Sequence, residues 1–518
     1  MATPQGKLAE SLDALRQLQD RGVVAIRATE LSRAHRERLL KNGFLREVMK
    51  GWYIAARPDG AAGESTAWYA SFWPFCAAYL SERFGKDWCL SPEHSLSLHT
   101  GNHTVPPQLV VRTPRGGNKA TALPYGTSLL DIRAAVPEEK DIVEKDGLRL
   151  FSLSAALIAS SPAFFERNVT DARAALATIR DASEVLDRLL GGGHSKIAGR
   201  LAGAFRNIGR GRIADDIVNA MRSAGYDVRE QDPFATRIDL VLPRRAASPY
   251  AGRIRLMWQQ MRGPIIERFP APPGRPKNTR AYLKHVQEVY VTDAYHSLSI
   301  EGYRVTPALI ERVRSGTWNP DADEQDREHR NALAARGYWL AFQAAQKSLR
   351  RVLRGENAGT VAEEDHTNWY REMFAPSVTT GLLRAADLAG YRNAPVYIRR
   401  SMHVPPNSEA VRDAMPLFFE MLSEESEPSA RVVLGHFIFV YIHPYMDGNG
   451  RIGRFLMNVM LAAGGYPWTV VPLEQRDAYM TALEQASVRQ NIVPFADFLA
   501  QLVKEGLRGK PVAKVPKA

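Results

Sequence analysis

Cysteine is almost missing: Cys76 and Cys89 are the two among 518 residues. That excludes a disulfide-stapled extracellular scaffold and leaves no thiol cluster for a structural metal, so both are read as packing residues in a reducing compartment. Also missing is any apolar run of the roughly 20 residues that a membrane helix needs. The opening MATPQGKLAESL has no apolar core of a secretory signal, so the expectation is a cytoplasmic protein without a membrane partner. No internal repeat points to a solenoid. An acidic excess is lacking too, since the net charge is +12, which suits a polyanion partner. Part of that excess lies in the tail Lys504 to Lys517, whose Gly, Pro and Lys content reads as a disordered end. With 45% hydrophobic and 24% charged residues, the remainder is ordinary for a globular chain of roughly two to four domains.

What is present concentrates in one stretch, His443-Pro-Tyr-Met-Asp-Gly-Asn-Gly-Arg-Ile-Gly-Arg454. An apolar segment, Val432 to Ile442, precedes it, and a helical pattern of Ile452, Phe455, Leu456, Val459 and Met460 follows until Gly464-Gly465. The stretch therefore reads as helix, tight turn, helix. Gly448, Asn449 and Gly450 let backbone N–H groups converge at a helix N-terminus, where the helix dipole favours an anion: a phosphate cradle. Arg451 and Arg454, three apart, reach the same side and can clamp further phosphate oxygens. Asp447 is a hard oxygen ligand suited to a Mg²⁺ that keeps most of its waters. His443, before the rigid Pro444, is the side chain here that takes a proton near neutral pH, hence the candidate general base.

The same residues resemble the signature of Fic-domain proteins, His-Pro-Phe-x-Asp/Glu-Gly-Asn-Gly-Arg-x-x-Arg, with Tyr445 in place of the Phe. The resemblance implies an all-helical domain that moves AMP from ATP onto a hydroxyl of a target protein, Ser, Thr or Tyr. It gives His443 the base role, Asp447 the Mg²⁺, and Gly448 to Gly450 with Arg451 and Arg454 the phosphates.

Upstream, Tyr295-His-Ser297-Leu-Ser-Ile-Glu301-Gly302 ends a helical segment, with Ser297 and Glu301 on one face and Gly302 letting the chain turn off. It resembles the Fic inhibitory motif, which implies that Glu301 pairs with Arg454 and blocks productive ATP binding. Tyr303 departs from the family's Asn. Between the two motifs, Gly390-Tyr-Arg-Asn-Ala-Pro-Val396-Tyr397-Ile398 resembles the Fic flap, a β-hairpin that aligns a target by strand addition. Arg476-Asp-Ala-Tyr479 resembles a stretch lining the nucleotide base, with Met480 where a second aromatic is usual.

At the other end, a helix over residues 7 to 20, a short strand at Val23 to Ile26, helices from about Ala28 and from about Ala34, and a hairpin around Lys50-Gly51 follow the order of a winged helix-turn-helix. On that reading Arg36, Arg38 and Lys41 enter the major groove of double-stranded DNA, while Arg46 and Lys50 touch phosphate. LLKNGFLREVMKGWYIA, CLSPEHSLSLHTGNHTVPPQLVVRTP and DGLRLFSLSAALIASSP look like AbiEi-type antitoxins, implying a mixed α/β body. Trp68, Phe72, Trp73, Phe75 and Tyr79 are core by their spacing. His94, His99 and His103 lack partners at metal-ligand spacing. Arg200, Arg206, Arg210 and Arg212 read as a solvated helical face, and Ile238 to Leu242 reads as a strand.

The expected fold is mainly α. It comprises a winged helix-turn-helix (1–60), an α/β domain (61–190), a helical connector with a Pro-rich linker (191–275), a Fic domain with a β-hairpin flap (276–506) and a disordered basic tail (507–518). The expected function is a self-inhibited protein adenylyltransferase using ATP and Mg²⁺, with a DNA-binding, autoregulatory N-terminus of toxin–antitoxin type. The alternatives are a transcriptional regulator whose Fic fold senses nucleotide, or an enzyme that removes AMP. A homodimer is left open.

Overall fold

The computed structural model describes residues 3–58, 65–235, 248–317, 329–510 and 512–515. The chain forms two compact units, Met1–Arg253 with Tyr397–Val404, and Ile254–Val396 with Pro405–Ala518.

In the first unit, α1 (Pro4–Asp20) starts on Thr3, whose hydroxyl accepts from Gly6 N–H at 3.1 Å. Then come β1 (Ala25–Arg27), α2 (Arg33–Lys41), β2 (Leu45–Met49) and β3 (Trp52–Ala55), the strands ordered β1-β3-β2. Leu15, Leu18, Ile26, Leu39 and Leu45 are buried together against them. The helix expected from Ala28 does not form, and residues 28–31 turn instead. Ser32 caps α2 by accepting from His35 N–H, and Arg36 Nη1 donates to Ala28 O at 2.6 Å, so the segment's polar groups find partners without a helix. The order is helix, strand, helix, hairpin.

Trp52 and Ile54 of β3 enter the same core as Trp68, Phe72 and Phe75 of α3 (Thr66–Phe84), so the expected division after residue 60 falls inside one hydrophobic cluster. The body continues with β4 (Cys89–Leu90), α4 (Pro92–His99), β5 (Gln108–Thr113), β6 (Lys119–Ala122) and β7 (Ser128–Arg133). These strands form a mixed sheet ordered β4-β5-β7-β6, in which β5 and β7 run parallel. A hairpin of β8 (Ile142–Lys145) and β9 (Leu148–Phe151) follows. Helices α5 (Leu153–Ala159), α6 (Pro162–Arg167), α7 (Val169–Thr178), α8 (Ser183–Gly191), α9 (Ser195–Asn207) and α10 (Gly211–Ser223) complete it.

The arginines expected to solvate that bundle mostly hold it together. Arg206 pairs with Glu230 at 2.6 Å and Asp215 at 2.7 Å, Arg210 donates to Ala177 O and Ile179 O, and Arg200 donates to Ser160 O. His94, His99 and His103 sit in protein packing, with His99 Nε2 2.6 Å from Phe151 O and burial pushing His94 and His103 down to about 4. The expected strand Ile238 to Leu242 lies outside the described residues.

The second unit is built from α11 (Pro249–Arg268, from Ile254 on), α12 (Thr279–Ile300), α13 (Pro307–Ser315), α14 (His329–Arg354), α15 (Ala358–Thr379), α16 (Ser408–Glu424), α17 (Pro428–Ile442), α18 (Asn449–Ala463), α19 (Arg476–Arg489) and α20 (Val493–Leu507). Among its described residues there is no strand. The expected flap is not a β-hairpin: Val396 in this unit and Tyr397 and Ile398 in the first lie in no strand, and Pro395, Pro405 and Pro406 remove donors from the segment.

The Pro-rich stretch is not a free spacer. Gly274 N–H donates to Gly464 O at 3.1 Å, and the Tyr466 hydroxyl donates to Pro270 O at 2.7 Å. Gly465, at φ +79°, permits this approach, because a Cβ there would stand 1.7 Å from Gly274 O. The tail is partly held as well, with Ala513 buried and Lys514 O 3.2 Å from His296 Nε2.

Candidate functional site

Helix α17 is buried along nearly its whole length and ends where His443 takes a left-handed backbone, φ 55° and ψ 60°. Such a conformation costs a residue with a Cβ on the order of 1–3 kcal/mol. Pro444 and Tyr445 then carry the chain to Gly448, φ 81°, the N-cap of α18. Asn449 closes this loop with its side chain: Oδ1 accepts from Tyr445 N–H at 2.9 Å, and Nδ2 donates to Tyr445 O at 2.8 Å. Asn449 thus keeps its backbone N–H for a ligand, whereas the Gly448 N–H is taken by Asp447 Oδ1. The Tyr445 ring is fully buried and stacks on Tyr370 at 3.8 Å, while its hydroxyl is buried with no hydrogen-bond partner among the described residues.

His443 Nδ1 lies 3.1 Å from Val440 O. A proton on Nδ1 satisfies that contact and leaves Nε2 as the basic atom. Burial pushes the imidazole down to about 4; Arg392 lowers it too, while the Val440 bond, Glu301 and Asp447 act the other way. The ring is therefore neutral at pH 7 and able to accept a proton.

Arg451 and Arg454 are both buried on α18. The Arg451 guanidinium lies between the rings of Tyr303 at 5.2 Å and Phe374 at 5.1 Å, and Nη2 is 3.3 Å from Asp447 Oδ2 without hydrogen-bond alignment. Arg451 Nε and Nη2 and Arg454 Nη1 are buried donors with no hydrogen-bond acceptor among the described residues. Orphaned buried guanidinium donors at a helix N-terminus fit an anionic ligand. Asp447 is exposed, with Oδ1 accepting from Gly448 N–H at 2.6 Å. Such an exposed carboxylate beside the cradle is the group that would hold a largely hydrated Mg²⁺, which would supply neutralising charge to phosphates.

Helix α12 brings the upstream motif to this place. Arg454 Nε donates to Ser297 Oγ at 2.8 Å, and Nη2 donates to Ser297 O at 3.0 Å and Glu301 Oε1 at 2.8 Å. Glu301 is the C-cap of α12, and Gly302, φ +88°, turns the chain away. Burial would raise the Glu301 carboxyl, but the charges of Arg454 and Arg451 outweigh this and hold it below its usual range. One turn before Ser297, Asp293 accepts from the Tyr338 hydroxyl at 2.7 Å, and burial lifts it to about 6.

Other candidate residues are placed differently. Tyr479 is buried, 2.6 Å from His436 Nε2 and packed against Phe495 and Phe498, so it is a core residue here rather than an open base-stacking face. In the first unit, Arg36 caps Ala28 O and lies over Tyr53, Arg38 Nη1 donates to Lys7 O and Ser11 Oγ, and Arg46 donates to the Tyr125 hydroxyl. Lys41 and Lys50 are exposed. Sequence reasoning passed over Tyr370 and Phe374, which carry no motif. It quoted Arg392 only as part of the flap, although its side chain reaches the His443 loop.

Residues 361–461 match the model of the Fic/DOC family. Similar curated proteins include the protein adenylyltransferase Fic of Drosophila grimshawi, 31% identical over 225 residues, or 43% of this chain and 43% of that protein. The Drosophila virilis protein of the same name is 31% identical over 225 residues, covering 43% of this chain and 42% of its own length. The chain thus spans less than half the length of the relatives it matches. Among solved structures, Fic-1 of C. elegans is 17% identical, covers 66% of this chain and 96% of its own, and superposes with a TM-score of 0.37.

Proposed function

We propose that the chain transfers AMP from ATP to a hydroxyl of a target protein, and that the conformation described is its self-inhibited one. The observation carrying this reading is the coincidence, at one helix N-terminus, of a neutral His443 with Nε2 free and orphaned donors of Arg451 and Arg454, with the Glu301 carboxylate on the second arginine. The target hydroxyl oxygen attacks the α-phosphorus, its proton passes to His443 Nε2, and the bond to the pyrophosphate oxygen breaks. The N–H groups of Asn449 and Gly450 and the two guanidinium groups take up the charge of the phosphates. A Mg²⁺ on Asp447 would neutralise phosphate charge.

Inhibition follows from competition. While Glu301 holds Arg454, that guanidinium cannot clamp the terminal phosphate, and ATP sits without the in-line geometry. To Val396 to Ile398 we assign the alignment of the target through its backbone. To the N-terminal unit, AbiEi-like in its sequence, we assign contact with duplex DNA through Lys41 and Lys50. Arg36, Arg38 and Arg46 are engaged within the fold, so this contact is electrostatic rather than base-reading.

The test is incorporation of α-labelled ATP, with CTP, GTP and UTP in parallel, into lysate proteins and the chain itself, using wild type, Glu301→Gly and His443→Ala. Labelling by the Glu301 variant that disappears with the His443 change supports the reading; no labelling by any of them removes it.

A further inference from the structure

We infer that Arg392 is a positioning residue of the transfer reaction, fixing the peptide that carries His443; the inference rests on the reading of His443 as the base. Arg392 lies outside the signature and is 2% exposed. A guanidinium is held at such depth only where its donors are met. Nε donates to His443 O at 2.7 Å, Nη1 to Ala394 O at 3.2 Å, and Nη2 to Pro406 O and to Ile442 O at 3.4 Å. Its own N–H donates to Pro444 O at 2.9 Å. One residue thus holds the carbonyls of three consecutive positions, Ile442, His443 and Pro444.

Those positions need holding. Helix α17 ends at Ile442, and the carbonyls of its last turn have no partner within the helix. His443 follows in a left-handed conformation that persists only where surrounding contacts over-determine it. The imidazole keeps its own bond, from Nδ1 to Val440 O, but that bond orients the ring only if the peptide it hangs from is fixed. A planar fork of donors spans several carbonyls at once, which a lysine ammonium does not. The charged groups facing His443 are Arg392, Glu301 and Asp447, and Arg392 is the cation among them, favouring the neutral ring. The phosphate-binding donors sit on another element, α18. Loss of Arg392 should therefore disturb the base and spare the nucleotide.

The experiment uses the full chain carrying Glu301→Gly, into which Arg392→Gln and Arg392→Lys are introduced. Four quantities are measured: the transfer rate at saturating α-labelled ATP, the ATP Kd by calorimetry, the melting temperature, and the Cε1–H resonance of His443, assigned by its loss in His443→Ala. The expected result is an ATP Kd within about threefold of the parent and a rate lowered on the order of 100-fold by Gln and less by Lys, as a misplaced base gives. The His443 line should be shifted or broadened. An unchanged rate with an unchanged resonance overturns the inference, as does an ATP Kd that weakens in step with the rate. If the Glu301→Gly parent transfers nothing, the proposed function fails and the role in transfer falls with it; the resonance then tells the two failures apart, since a line identical in the Arg392 variants also discards the fixing of the His443 peptide, and a broadened one keeps that contact without the chemistry.

Discussion

Glu301 Oε1 lies 2.8 Å from Arg454 Nη2, and the same oxygen closes over Gly450, where a Cβ would stand 2.3 Å from it. The carboxylate thereby occupies the mouth of the helix N-terminus that suits a phosphate.

Replacing Glu301 by Gly frees Arg454 and opens that mouth. Since a hydrogen bond to a charged group contributes about 1.5–3 kcal/mol, transfer from α-labelled ATP should rise by roughly ten- to a hundredfold. An unchanged or lower initial rate would argue against the switch.

His443→Ala, in the released Glu301→Gly background, should lower transfer on the order of 10²- to 10⁴-fold, the range that a positioned base supplies. ATP affinity by calorimetry should stay near that of its parent. Retained transfer would remove the base role.

The pH dependence has a defined sign. His443 is pushed down to about 4, so its ring stays neutral well below the usual 6.5. Transfer by the released variant should therefore keep its base-limited rate from pH 7 to about 5 and fall as pH approaches 4. Removing Glu301, which favours the charged ring, moves that limb lower still. Between 6.5 and 4 the unfolded chain binds a proton that the folded chain refuses, so this residue makes stability rise with pH across the window. A rate profile with its midpoint near 6.5 would show that burial does not govern the ring.

Asn449→Ala deletes both bonds to the Tyr445 backbone. At about 1 kcal/mol each, urea denaturation should register a loss of about 2 kcal/mol, and the loop should close less well. Equal stability of variant and wild type would mean that the stacked Tyr445 holds the loop unaided.

For the N-terminal unit, full-length protein should shift a duplex containing its own promoter. Lys41→Ala and Lys50→Ala should each flatten the salt dependence by about one ion. Binding that these changes leave untouched would place any DNA contact elsewhere.

The helix, turn and helix around residues 443 to 454 were legible in their order and spacing, because such a turn fixes its neighbours through the backbone alone. The pairing of Glu301 with Arg454 could be written down in advance for a related reason: Ser297 and Glu301 share a helical face, and a motif resemblance supplied the partner. The aromatic spacing of α3 likewise announced a core.

Where the reading went astray, a distant side chain had taken over a backbone group. Arg36 satisfies carbonyls that the missing helix would have used, and Arg392 ties the flap's base to the helix end instead of leaving it to a ladder. By itself the sequence determined which residue types stand together in the turn from His443 to Arg454, since that depends on positions a few apart. Only the tertiary structure decided which arginines remain for a ligand and which are spent on carbonyls. A guanidinium's five donors go wherever packing brings acceptors, and that follows from contacts far apart in the chain.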